Sequence, residues 1–126
     1  MPRILYYTAI GDAIGAGFEF TNQTIDSFDD LKGYKHHPKM KPTNVGTYTD
    51  DTQMSIALAE TMLLRYSVES VQPVDFANTF LRVFRDDPRD GYARGFQKLL
   101  NTFKGDGRDL IETIEKHGKS SRNGAA

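Results

Sequence analysis

Apolar residues return at helical spacing in segment after segment of this chain, and no run reads securely as a strand; that periodicity constrains the fold more than any other feature. Met54, Ile56, Ala57, Leu58, Ala59, Met62 and Leu63 predict a helix running to about Tyr66, with an apolar surface wide enough to be mostly buried. Pro73 fits a helix start, Phe76, Ala77, Phe80, Leu81 and Phe84 form its inward stripe, and Asp87 with Pro88 stops it. Tyr92, Phe96, Leu99, Leu100 and Phe103 predict a further helix that ends at the turn Gly105, Asp106 and Gly107. A short last helix carries Leu110, Ile111 and Ile114, with Gly118 as its cap. Ile4, Leu5, Ala9, Ile10, Ala13 and Ile14 also fall at helical spacing, although residues 4–7 could equally open a strand. Aromatic residues at such intervals (Phe76, Phe80, Phe84, Phe96 and Phe103) are expected in the core rather than stacked on a ligand.

The length of 126 residues suits one domain. Sixteen Lys and Arg balance seventeen Asp and Glu, so no global basic field points to nucleic acid or an anionic membrane. The absence of cysteine removes disulfides, thiolate metal sites and cysteine nucleophiles, and any metal must be held by oxygen or imidazole. No segment approaches a membrane span, and the N-terminal apolar run is too short for a signal peptide; a soluble, cytoplasmic protein is expected.

Between Phe20 and Thr47 the periodicity disappears, giving a long loop with Lys32, Lys35, Lys39, Lys41, His36 and His37. The adjacent histidines are expected in solvent, and the lysines read as soluble surface. Just beyond the loop, Thr49, Asp50 and Asp51 stand where a helix begins. They can serve as a helix cap, or as oxygen ligands for a hard cation such as Mg²⁺. Asp12 and Glu19, seven residues apart and so on one face of a helix, are the candidate second acidic group. Gly11, Gly15 and Gly17 permit close approach by another backbone or a ligand; their spacing also matches the nucleotide turn of short-chain dehydrogenases, an NAD(P)-binding alternative that needs alternating strands and helices. At the C-terminus Ser120, Ser121, Arg122, Asn123 and Gly124 carry groups that can cradle a phosphate, or form a frayed polar tail.

Three motifs occur in order: GDAIGAGFEF, YTDDTQM and SSRNGAA. Together they resemble the ADP-ribosylglycohydrolases, whose Gly-Asp-Ala-x-Gly helix, Thr-Asp-Asp-Thr-x-Met metal motif and Ser-x-Gly-Asn-Gly substrate loop they match. The resemblance implies an all-α, multi-helix orthogonal bundle with two Mg²⁺ ions in a cleft, hydrolysing the bond between ADP-ribose and a protein side chain or other acceptor. It implies that Thr49, Asp50 and Asp51 are metal ligands, with Asp50, Asp51 and the mobile Glu19 in the chemistry. Gly11, Asp12, Ser120, Ser121, Arg122, Asn123 and Gly124 then contact the ADP-ribose. Arg122 stands where the family often has glycine, and the family's C-terminal Asp-x-Asp-Thr does not occur before Ala126. The expected domain over residues 1–126 is therefore truncated, and it is expected either to associate as a homo-oligomer or to require a missing C-terminal half. A protein that binds ADP-ribose without cleaving it is the alternative.

Overall fold

In the computed structural model, which describes residues 2–22, 26, 28–41, 44–64 and 68–117, the described residues form helices and no strand. Five α-helices follow in order: α1 (Pro2–Gly15), α2 (Asp50–Leu63), α3 (Pro73–Asp86), α4 (Arg94–Thr102) and α5 (Gly107–His117). Short 3₁₀ turns at Ala16–Phe18, Phe28–Leu31 and Val68–Ser70 punctuate the connections. The expected strand alternative at residues 4–7 gives way to helix. The ends predicted at Tyr66 and Gly118 lie outside the described residues.

Helix α3 sits at the centre, packing against α2 on one side and α5 on another, while α1 packs on α2. Its boundaries follow from local chemistry. Pro73 supplies a preset φ at the first position, and the Gln72 backbone N–H donates to the Asp75 carboxylate at 2.9 Å. Phe80, 2% exposed, is the hub of the core. Its ring lies 6.1 Å from Phe76, 6.4 Å from Phe84, 5.8 Å from Tyr92 and 6.1 Å from Phe96. Ala57, Leu81, Val83, Leu100 and Leu110 complete the buried cluster. The aromatic stripe is thus core, because rings spaced by three or four residues point to one side of a helix.

Helix α5 starts in a reciprocal cap: Asp109 N–H donates to Asp106 Oδ1 at 3.0 Å, and Asp106 N–H donates to Asp109 Oδ2 at 3.0 Å. A side chain at Gly107 would stand 2.6 Å from the Asn78 backbone nitrogen, so glycine sets how closely α5 crosses α3.

The apolar surface of α2 is less covered than its width predicts. Leu58, Met62 and Leu63 are exposed, as are Ile4, Tyr6 and Tyr7 on α1, because α3 covers only one side of α2 and α1 is apolar around its circumference. Among the described residues no helix is long and apolar enough to cross a membrane.

Candidate functional site

The N-terminus of α2 is closed from outside. Thr49 occupies the cap position in extended backbone, yet its side chain makes no cap bond to its own helix. Asp12, reaching over from α1, does so instead: its Oδ2 accepts from the backbone N–H of Thr49 at 2.7 Å and of Thr52 at 3.2 Å. The two hydroxyls also donate to it, Thr49 to Oδ1 at 2.5 Å and Thr52 to Oδ2 at 2.6 Å. One carboxylate thereby satisfies two otherwise unpaired helix N–H groups and two buried hydroxyls, at the positive end of the helix dipole.

Within that first turn Asp50 is buried and Asp51 half-buried. Burial, then the neighbouring charge of Asp51 and a smaller one from Asp12, push the Asp50 carboxyl up to about 6. Asp51 is raised by burial and by the charges of Asp12 and Glu19. Four carboxylates therefore share one electrostatic field. The Asp50 carboxylate lies against Gly91, where a β-carbon would overlap it, and Gly91 itself holds φ +119°, which favours glycine. The backbone N–H of Asp50 donates to the Asp90 carbonyl at 3.1 Å, tying this loop to α2.

Behind the loop lies a polar network. Tyr92 Oη donates to Gln53 Oε1 at 2.8 Å, and Gln53 Nε2 donates to the Asp87 carbonyl at 2.6 Å. The Asp87 carboxylate accepts from Tyr48 Oη at 2.6 Å and from Arg89 Nη2 at 2.6 Å, with the Arg89 guanidinium 3.9 Å over the Tyr48 ring. Asn44 Nδ2 donates to Asp90 Oδ2 at 2.6 Å. These bonds fix residues 87–92 relative to the acidic turn.

The acidic turn opens into a cleft of about 1150 Å³. Its lining includes Glu19, Asp50, Asp51 and Asp90, and also the cationic side chains of Lys39, Lys41, Arg94 and Lys98. The chain matches the ADP-ribosylglycohydrolase family over residues 4–126. It belongs to that family.

Among curated ADP-ribosylglycohydrolase relatives, the chain is similar to the ADP-ribosylhydrolase ARH3 of Homo sapiens, 32% identical over 102 residues, covering 73% of this chain and 27% of the human protein. The ARH3 of Bos taurus is 33% identical over 102 residues, with 73% and 27% covered. That of Xenopus tropicalis is 36% identical over 96 residues, with 71% and 26% covered. The chain thus spans about a quarter of the length of these relatives. No solved structure is significantly similar to it.

Of the family's motif residues, Asp12, Glu19, Thr49, Asp50 and Asp51 come together at the cleft and its helix cap. Gly11 is exposed on α1, and a β-carbon there would meet nothing within 4 Å beyond its chain neighbours and the backbone of its own helix. Ser120, Ser121, Arg122, Asn123 and Gly124 lie outside the described residues. Among the described residues no group of three or more His, Asp or Glu is placed to hold a metal ion. The dinucleotide-turn alternative fails on placement: Gly11 and Gly15 lie inside α1, not between a strand and a helix.

His37 corrects the expectation of a solvated pair. His36 is exposed, but His37 is only 6% exposed and its Nε2 lies 3.4 Å from Glu19 Oε2. The close approach expected at the glycines occurs at Gly17, where a β-carbon would stand 2.5 Å from Lys35 Cβ. Asp90 and Gly91 are not among the residues predicted for the site: an Asp-Gly pair signals a turn, and nothing local marks that turn as packing on Asp50.

Proposed function

We propose that this cleft binds an ADP-ribose unit and hydrolyses its bond to a modified protein side chain. The observation that carries the reading is the placement of Asp50 and Asp51 side by side at a half-buried helix N-terminus, within the field of Asp12 and Glu19. Carboxylates gathered in this way stabilise positive charge developing at an anomeric carbon. Burial and the charge of Asp51 hold the Asp50 carboxyl at about 6 in the unliganded fold, so this turn gains from any positive charge brought beside it. Asp12 serves the site by orienting Thr49 and the first turn of α2. Glu19 faces the same cleft, and the segment Ser120 to Gly124, with Arg122 in place of glycine, contacts the ribose and diphosphate.

The reading includes Mg²⁺. The donors fit a hard cation in type and charge, since the raised Asp50 and Asp51 are the groups that a nearby cation would relieve. Thr49, Asp50 and Asp51 would hold it, with water and further oxygens completing a shell of about six. When bound, such an ion supplies Lewis acidity and compensates the acidic charge.

The test is release of ADP-ribose from protein modified on serine or arginine, with and without Mg²⁺. Activity is expected only with the metal, and is expected to be lost in Asp50→Ala and Asp51→Ala. Calorimetry with ADP-ribose separates a second reading, a non-cleaving binder, favoured by the cations Lys39, Lys41, Arg94 and Lys98 in the same cleft. Tight binding without metal, and no product at any Mg²⁺ concentration, selects the binder. The reading also carries self-association: Ile4, Tyr7, Leu63 and Leu64 leave apolar side chains in water, and a monomer by light scattering removes that part.

A further inference from the structure

Resting on the role given to Glu19 above, we propose that His37 is a positioning residue that holds the Glu19 carboxylate at the mouth of the cleft. The backbone N–H of Lys39 donates to His37 Nδ1 at 3.0 Å. A ring nitrogen that accepts a hydrogen bond carries no proton, so the proton of this neutral imidazole sits on Nε2. Nε2 is the atom facing Glu19 Oε2, at 3.4 Å, and it can only donate there. The backbone of the loop thus selects the tautomer that the carboxylate needs. At 3.4 Å the bond is long, so it biases the position of Glu19 without locking it.

A second set of contacts closes on the same pair. Phe20, directly after Glu19, has φ 55°, a backbone conformation that bulky side chains seldom adopt. Its ring meets the His37 ring edge-on, 5.6 Å between centroids, and the Lys39 ammonium lies 3.4 Å over its face. Glu19, Phe20, His37 and Lys39 therefore form a closed ring of contacts, Glu19 and Phe20 from one chain segment and His37 and Lys39 from the other. Gly17 lets the second segment approach, since any side chain there would overlap the Lys35 backbone. His37 is buried while the Glu19 side chain is half exposed, so the fixed partner is the imidazole and the movable one is the carboxylate.

Nitrogen-15 NMR of the histidine-labelled chain tests the geometry without any ligand. The Nε2–H tautomer is expected for His37, and Glu19→Gln is expected to shift its Nε2 resonance while leaving His36 and His117 in place. An Nδ1–H tautomer, or an Nε2 signal indifferent to Glu19, overturns the proposal. In the hydrolysis assay, His37→Phe keeps the ring volume and removes the donor. It is expected to lower kcat about tenfold with KM little changed, His37→Gln to recover most of the loss, and His37→Phe to add nothing in a Glu19→Gln background. Losses that multiply in the double variant also overturn it. If Glu19→Gln leaves hydrolysis unchanged, or no hydrolysis is found, it is the role assigned to Glu19 that fails, and the tautomer and its coupling to Glu19 still decide whether His37 holds the carboxylate.

Discussion

Asp12 caps a helix to which it does not belong, accepting the backbone N–H and the hydroxyl of Thr49 with its two carboxylate oxygens at 2.7 and 2.5 Å. The same side chain takes both donors of Thr52, which is 1% exposed. Asp12→Ala therefore leaves buried hydroxyl and amide donors without a partner. The expected loss is about 2–3 kcal/mol, read as a lower urea midpoint at unchanged slope. Asp12→Asn keeps an acceptor and is expected to lose less. If Asp12→Ala is as stable as the parent chain, the cap carries little of the fold.

Asp50 has a folded-state pKa of about 6 against its ordinary 3.8, so between those values the folded chain holds more protons than the unfolded one. Stability is then expected to fall as pH rises from about 4 to about 6, by on the order of 2 kcal/mol from this group. Asp50→Asn removes the titration, so it should flatten that slope and raise the urea midpoint at pH 7 in metal-free buffer. Mg²⁺ should stabilise the unsubstituted chain more than the variant, by mass action. Parallel pH profiles for the two proteins would contradict the assignment.

Gly91 and Asp50 share one volume. Gly91→Ala meets both an unfavourable φ and the Asp50 carboxylate, and about 2–4 kcal/mol of destabilisation is expected. Combining it with Asp50→Ala should recover the steric part but not the backbone part. A thermal double-mutant cycle reads this as a positive coupling, and strict additivity would mean that the two residues do not touch.

Tyr92 is buried, and its phenol is pushed well above its ordinary range, first by burial and then by the charges of Asp50 and Asp51. It should therefore remain protonated, and remain a donor to Gln53, while the exposed tyrosines ionise; ultraviolet titration of Tyr92→Phe against the parent chain should show no missing transition near pH 10. Removing the hydroxyl orphans the Gln53 oxygen, which is 0% exposed as a residue, at about 1–2 kcal/mol.

Local signals in the sequence were followed by the chain, and non-local ones were hidden. Pro73 and the Asp87-Pro88 pair bound α3 because each acts within one turn, and the stripe from Phe76 to Phe84 found its core because a helix sorts side chains by spacing alone. Asp12, Glu19, Thr49, Asp50 and Asp51 could be grouped from their motifs, but not the way they bond: Asp12 reads as a ligand-facing acid and is found capping α2. His37 was unreadable for the same reason. Its burial depends on residues 35–39 lying across Gly17, and no pattern in a lysine-rich loop reports that. The exposed Leu58 and Met62 show the converse, since an apolar face states what could be covered and not what covers it.

The contacts that build the acidic turn join partners far apart along the chain: 37 residues separate Asp12 from Thr49, and 39 separate Gln53 from Tyr92. Local helices can form before such closures, but the turn acquires its geometry only once both chain segments have been brought in against their loop entropy. The acidic turn is thus expected to form late in folding, and substitutions at these contacts should speed unfolding far more than they slow refolding.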